Sequence, residues 1–360
     1  MKGFWRILHS FIVTINFGVV LLLILCGHAY MIKPEHSVLS SFLGYAFPVL
    51  ALVNLFFICY WGVRLKLWIL VPLFGFFLTL DSARSWFPIH FKQEEATGET
   101  LKVLSYNVEF LSHAGKDSVD GLNPIIAYIR DLDPDIVCMQ EVGNEFIQKG
   151  RFDTKTKKAL KAYRYFASGE KEERYSVACM SKYPILKFYR IEYESMSNSS
   201  WIYDIKIGHD TIRVINNHLE SNKLNREEKD QYTEIIQKRE SAKITKVAGL
   251  LGNKVGKSTR IRGNQADAVS KAIHDSPFQV VVCGDFNDAP GSYTYRKIRS
   301  DMLDCWVEKG NGWGHTFHEN LFLFRIDYIL NTPAIRCVKT KVDHVHFSDH
   351  FPLWANLQLP

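Results

Sequence analysis

The sequence predicts an α/β sandwich carried behind a helical membrane segment. Residues before about position 90 are almost wholly apolar and aromatic, whereas those after it read as an ordinary water-soluble chain. In that second part, short β-type apolar runs alternate with helical stretches, the pattern of sheets covered by helices. Polar residues recur at the ends of the apolar runs, where strands of one sheet can gather side chains at a common edge.

The composition agrees with this division. The chain has 360 residues, 47% hydrophobic and 23% charged, which excludes a disordered polymer. With 22 Gly and 12 Pro, collagen-like and Pro/Gly low-complexity chains are excluded as well. The net charge of +6 is a mild bias toward anionic partners. A mean hydropathy of -0.09 is the average of two different materials.

Residues 7–27 carry no charge and exceed the about 20 residues needed to cross a bilayer core. A second uncharged run covers 38–63 and contains Pro48, which membrane helices tolerate. A third, 67–80, is short, but Trp68 and Trp86 stand where interfacial aromatics are expected, so about three spans are expected. The first run is too long for a secretion signal, and a second follows it. Lys2 and Arg6 precede the first run, and Arg64 and Lys66 separate the second from the third. The positive-inside rule puts these residues in the cytoplasm, and three spans put the rest of the chain outside it. The expected organisation is a membrane anchor at 1–91, a polar linker at 92–99 and a water-soluble domain at 100–360, which lies outside the cytoplasm. The seven Cys show neither a disulfide framework nor a CxxC zinc pair, and buried free thiols are expected.

In the soluble part, strands are expected at 101–108, 135–142, 175–182, 201–207, 211–219, 278–286, 324–330 and 351–359. Helices are expected at 122–131 and over most of 222–274. The stretch 222–275 (KLNREEK, QKRE, GKSTRIRG) is rich in bases and reads either as a solvated helical face or as a phosphate-facing surface.

The strand-end residues are the chemical signal. Asn107 ends LKVLSYN and Glu109 follows two residues later. Glu141 ends DIVCMQE, and His218 ends TIRVINNH. Asp285 and Asn287 follow FQVVVCG. Asp327 lies within RIDYIL, and Asp349 and His350 form SDH before the last strand. Each alone is an ordinary turn former or buried polar residue. Their order is the informative feature. SYNVE, QE, NHL, GDFND, RIDYIL and SDHFP in succession resemble the endonuclease/exonuclease/phosphatase (DNase I-like) superfamily, and more closely its membrane-anchored bacterial members. The resemblance covers about residues 100–360. It implies a four-layer α/β sandwich with two central sheets and the site at one rim.

It also implies roles. Glu141 matches the principal Mg2+ ligand, Asn107 the Asn that holds metal or phosphate, and Glu109 a carboxylate two residues beyond it. Asp349 completes the metal group, with Mg2+ as the cofactor and Mn2+ as its substitute. His218 resembles the His that contacts the scissile phosphate. Asp285 and Asn287 match the pair that orients nucleophile and phosphate, and Asp327 the acid that orients the terminal His350. Arg262 and Gln265 (RGNQA) resemble a helix motif that supports the site. One departure is visible: Ser176 stands near a place where members often carry Gly.

These roles fit the chemistry. Mg2+ takes hard oxygen ligands and keeps several waters. A His–Asp pair can take a proton from attacking water, and His218 and Asn287 can donate to developing negative charge. A zinc site is disfavoured by the lack of a close His pair such as HExxH. The expected activity is metal-dependent hydrolysis of phosphate esters, phosphodiesterase- or nuclease-like. The alternatives are a sphingomyelinase- or phospholipase C-like enzyme acting on lipid head groups, or a catalytically lapsed binding module. A transporter is disfavoured by the lack of charges within the spans. The expected partners are a nucleic acid or phospholipid head group and the bilayer itself. No protein partner is inferable.

Overall fold

In the computed structural model, residues 2–91, 98–111, 121–143, 153–169, 176–222, 241–319 and 323–360 are described. Most of the expected linker and the KLNREEK and QKRE runs fall outside them.

Two long helices open the chain, α1 (Lys2–Gly27) and α2 (Leu39–Val63). Both are long and apolar enough to cross a membrane. Trp61 Nε1 donates to Asn16 Oδ1 at 2.9 Å, and the His9 ring lies edge-on to Trp61, so the start of α1 packs on the end of α2. The third run differs from the single span expected. It forms α3 (Leu70–Leu78) and α4 (Leu80–Trp86), bent by 68°. At the bend Thr79 Oγ1 donates to Gly75 O, and α4 is held to the later part of the chain by Arg296 and Arg299 on Asp81.

The rest of the chain then runs β1 (Leu101–Asn107), α5 (Pro124–Leu132), β2 (Ile136–Val142), α6 (Thr154–Ala159), β3 (Tyr165–Ser168), β4 (Ser176–Ser181), β5 (Ile185–Arg190), β6 (Ser200–Ile207) and β7 (Asp210–His218). It continues with α7 (Ser241–His274), β8 (Gln279–Asp285), α8 (Tyr293–Arg299), β9 (Leu303–Asp304), α9 (Cys305–Lys309), β10 (Asp327–Asn331), β11 (Arg336–Val342) and β12 (Leu353–Gln358). The strands make two six-stranded sheets, ordered β11-β12-β1-β2-β4-β3 and β5-β6-β7-β8-β10-β9.

The sheets stack face to face, with helices outside. Val103, Cys138, Val214, Val281 and Cys283 meet in the core between them. On the far side of the first sheet, Leu104, Tyr106 and Met139 pack on Ile125 and Ile129 of α5. On the far side of the second, Val280, Val282 and Tyr328 pack on Ala266 and Val269 of α7 and on Ile298 of α8. The central strands are buried on both faces, which is why they read as continuous apolar runs. All five cysteines of this domain are buried free thiols, as expected.

Two differences from the expected strands stand out. β10 begins at Asp327, because the amides of Ile326 and Asp327 both donate to Thr316 Oγ1 rather than to a neighbouring strand. The short or peripheral strands β3, β5, β9 and β11 were not expected. All four close sheet edges, where one-sided burial blurs the apolar pattern.

β1 and β2 are parallel, as are β7 and β8, so the C-terminal ends of these four strands share one rim. At that rim Gly284 lies opposite Asn217 with φ of 122°, and a Cβ there would collide with the Asn217 backbone. Glycine is required at this position. Gly284→Ala is therefore expected to cost at least about 2 kcal/mol of stability, measured by denaturant unfolding of the solubilised chain. A wild-type midpoint would contradict this reading of the rim.

Candidate active site

The rim brings all nine expected residues to one place. Asn107 ends β1, Glu141 lies near the end of β2, His218 ends β7 and Asp285 ends β8. Register sets His218 and Asp327 each beside Asp285. Asp349 and His350 enter from the loop before β12, held by Ser348 Oγ, which donates to Asn107 O at 2.8 Å.

Asp285 is the hub. Asn107 Nδ2 donates to its Oδ2 at 3.2 Å and to Glu141 Oε1 at 3.4 Å. The Asn287 amide donates to Asp285 Oδ1 at 2.8 Å. His218 Nε2 lies 3.9 Å from Asp285 Oδ2 and 3.6 Å from Glu141 Oε1. His350 Nε2 lies 3.7 Å from the same Asp285 oxygen, while its Nδ1 bonds Asp327 Oδ2 at 2.8 Å. The imidazole thus bridges two acids, one fixing its orientation and the other facing the reactive nitrogen. Glu141 and Asn287 hold positive φ of 53° and 52°, a backbone strain that concentrates at working sites.

The residues fall into two shells. Asn107, His218, Asp285, Asp327 and His350 are buried. Glu109, Glu141, Asn287 and Asp349 are half-buried and form the mouth. Asn107 Oδ1 accepts the Glu109 amide at 3.2 Å, so Asn107 presents N–H to the site. The expected metal group therefore divides into three carboxylates at the mouth and one amide donor behind them.

The electrostatics follow from this crowding. Burial pushes the Glu141 carboxyl up to about 7, and Asp349 and Glu109 push the same way against His350 and the Asn107 amide. Burial and Asp327 also raise Asp285, against His350 and the Asn287 amide. For His350, burial favours the neutral ring, but Asp327, Asp285 and Asp349 outweigh it and raise its pKa well above 6.5.

Acids so placed suit a divalent cation. Glu141, Asp349 and Glu109 supply hard oxygens and repel one another without it. A second metal-capable set, Asp285, Asp327 and His350, has ligand atoms within 4.8 Å of one another. There the Asp327–His350 hydrogen bond already uses one oxygen, so that trio is better organised for proton transfer.

Sequence reasoning undervalued two supports. Arg262 and Gln265 are fully buried rather than on a solvated face. Arg262 donates to Glu220 O and Asp288, and Gln265 accepts the Glu220 amide. Asp288 was passed over, although it follows Asn287 and is wholly buried. A second acid directly after a D-x-N pair was the available signal. By contrast, His344 and His346 are exposed, as surface residues would be.

Residues 104–350 match the model of the endonuclease/exonuclease/phosphatase family, and the chain belongs to that family. It is a phosphoester hydrolase by class. Residues 9–86 match a domain of unknown function (DUF8431). No curated protein sequence matches the chain. Among solved structures, an endonuclease/exonuclease/phosphatase from Beutenbergia cavernae is similar at 17% identity and TM-score 0.50, covering 72% of each chain. D. rerio TDP2 complexed with single strand DNA product is similar at 16% identity and TM-score 0.50, covering 72% of this chain and all of that one. A Bacteroides vulgatus member matches at 18% identity and TM-score 0.48, covering 73% of this chain and 100% of that one. The two likenesses at TM-score 0.50 agree with the two-sheet fold.

The raised Glu141 pKa sets a pH dependence. Unfolded, the carboxyl ionises near 4.5; folded, near 7. Between those values the folded state holds the extra proton, so without metal stability falls as pH rises from 4.5 to 7. Glu141→Gln removes that loss. Its melting temperature at pH 8 without metal should exceed the wild type's, while its hydrolytic activity is lost. A lower melting temperature at pH 8 would contradict the electrostatic assignment.

Proposed function

We propose that this chain is a membrane-anchored, divalent-metal-dependent phosphodiesterase that uses water as its nucleophile. The observation that carries the reading is the Asp327–His350–Asp285 arrangement opening onto the Glu141 and Asp349 carboxylates. Glu141, Asp349 and Glu109 would hold Mg2+ or Mn2+, which supplies charge neutralisation at the phosphoryl oxygens and leaving group. His350, oriented through Nδ1 by Asp327, accepts the proton of the attacking water at Nε2 in its neutral form, which its raised pKa confines to higher pH. Asp285 lies beside that nitrogen and aligns the water. His218 donates a hydrogen bond to the oxygens that gain charge, while the Asn287 and Asn107 side chains, which donate to Asp285, Leu219 O and Glu141, hold the rim in place.

A nucleic acid is the substrate class we favour. The D. rerio neighbour was solved with a single strand DNA product, and the chain carries a net charge of +6. A lipid head group is the second reading, favoured by the anchor packing directly against the domain near the site, where Tyr45 bonds Asp288. The full chain in detergent with Mg2+ should hydrolyse one of plasmid DNA, single-stranded DNA, RNA, sphingomyelin or phosphatidyl lipids. His350→Ala should lower kcat at least about 100-fold. Full metal-dependent turnover in that variant would refute the site assignment.

We also propose that the anchor spans the membrane and places the catalytic domain outside the cytoplasm. Arg64 caps the far end of α2, next to the start of α1, while the catalytic domain packs at the other end of α2. The basic residues and the domain thus lie at opposite ends of the bundle. A reporter fused after Pro360 should be active only outside the cytoplasm. Cytoplasmic activity would refute this topology.

A further inference from the structure

The turn that carries Asn287 is held from outside its own domain. Tyr45, in the first part of α2, donates from Oη to Asp288 Oδ1 at 3.0 Å. Asp288 is fully buried. Its other oxygen receives Arg262 Nε at 3.3 Å, and its carbonyl accepts Tyr328 Oη at 2.9 Å. The carboxylate is thus fixed by Tyr45 from the anchor, by Arg262 from α7 and, on Oδ1, by the Ala289 amide at 3.2 Å. One residue further on, Ala289 belongs to an apolar cluster otherwise built from the anchor: Leu23, Cys26, Phe47 and Trp86. Gly44 and Gly291 meet backbone to backbone, and a Cβ on Gly44 would stand 2.5 Å from Gly291 O. No larger residue fits at this crossing.

The other side of the site is held as well. The Tyr45 ring packs edge-on against Phe324, with centroids 5.5 Å apart. Phe324 bridges to Phe317, and Phe317 bridges to His350. Arg325, two residues before Asp327 and buried, donates to Ser85 O of α4 at 2.7 Å and to Asp304 Oδ2 at 2.7 Å. Removing the anchor would leave a buried arginine and a buried aspartate each short of a partner, a costly state.

We propose that the membrane segment is a working part of the active site, with Tyr45 as a positioning residue that fixes the Asn287 turn through Asp288. The inference rests on the hydrolase reading above and goes further: the helices shape the catalytic rim as well as anchoring it. Tyr45 does not touch substrate. It acts on the direction in which Asn287 donates, so it bears on turnover more than on binding.

The test uses the full chain in nanodiscs. Tyr45→Phe keeps the ring on Phe324 and removes only the hydroxyl. It should lower kcat about 10-fold with KM changed by less than about 2-fold. Asp288→Asn should lower kcat too, and in that background Tyr45→Phe should add little. Tyr60→Phe, at the far end of α2, is the control and should match wild type. Hydrogen exchange over residues 286–291 should speed up in Tyr45→Phe and stay unchanged in Tyr60→Phe. Wild-type kcat in Tyr45→Phe, additive effects in the double variant, or unchanged exchange would each overturn the proposal. If the wild type hydrolyses no phosphate ester, the hydrolase reading falls, and the exchange experiment alone decides whether the anchor holds the turn.

Discussion

At the rim the hydrogen bond from Asn107 Nδ2 to Asp285 Oδ2 crosses between the two sheets, backed by Gln140 Nε2 on Asn216 Oδ1 and Asn216 Nδ2 on Met139 O. Asn107 ends a strand of one sheet and Asp285 a strand of the other. Everything catalytic is arranged around that crossing. It requires both strands to deliver their C-terminal ends to the same edge, which the parallel β1–β2 and β7–β8 pairs do. It also requires the backbone at Gly284 to pass closer to Asn217 than any side chain allows. A buried carboxylate costs several kcal/mol unless donors surround it. Asp285 receives the Asn107 amide, the Asn287 backbone amide and, at 3.3 Å, the Asn287 side chain. Those bonds let an acid persist in a nearly dry rim beside His350.

The same crowding sets function against stability. Glu141 and Asp285 are each held against their ordinary tendency to ionise, while three acids drive His350 toward its charged form. No core built for stability alone would gather these groups. On the proposed function, a divalent cation would relieve this conflict by offsetting the mouth carboxylates. Strained backbone at Glu141 and Asn287 points the same way, since only these two of the nine residues besides Glu109 adopt positive φ.

Much of this was legible in the chain. Strands buried on both faces announce themselves as runs such as VVVC, and a polar residue ending such a run has few places to go except a rim. That logic found Asn107, Glu141, His218 and Asp285. It failed where position depends on contacts between distant segments. The strand expected from Phe324 starts only at Asp327, because Thr316, from a separate loop, takes the amides of Ile326 and Asp327. The third membrane run bends at Thr79 because Asp81 and Ser85 are recruited by arginines more than 200 residues away. Arg262 sits in a stretch whose composition says solvent, yet it is buried because Glu220 O and Asp288 need its donors. No local pattern contains such information.

The anchor carries the argument one step further. A simple tether needs apolar length and little else. This one spends polar side chains where apolar ones would serve a bilayer better: Tyr45 on Asp288, Asp81 and Ser82 on Arg296, Asp81 and Ser85 on Arg299. Each contact lands within a few residues of Asn287 or Asp327, or on α8, which follows the Asn287 turn. The loop between α1 and α2 adds Lys33 on Asp267 of α7 at 2.8 Å, on the helix that supplies Arg262. Helices so engaged cannot swing freely beneath the domain. The active site is therefore held at a fixed attitude to the plane that the helices define. On the proposed topology, a substrate would approach a rim whose orientation is set by the anchor.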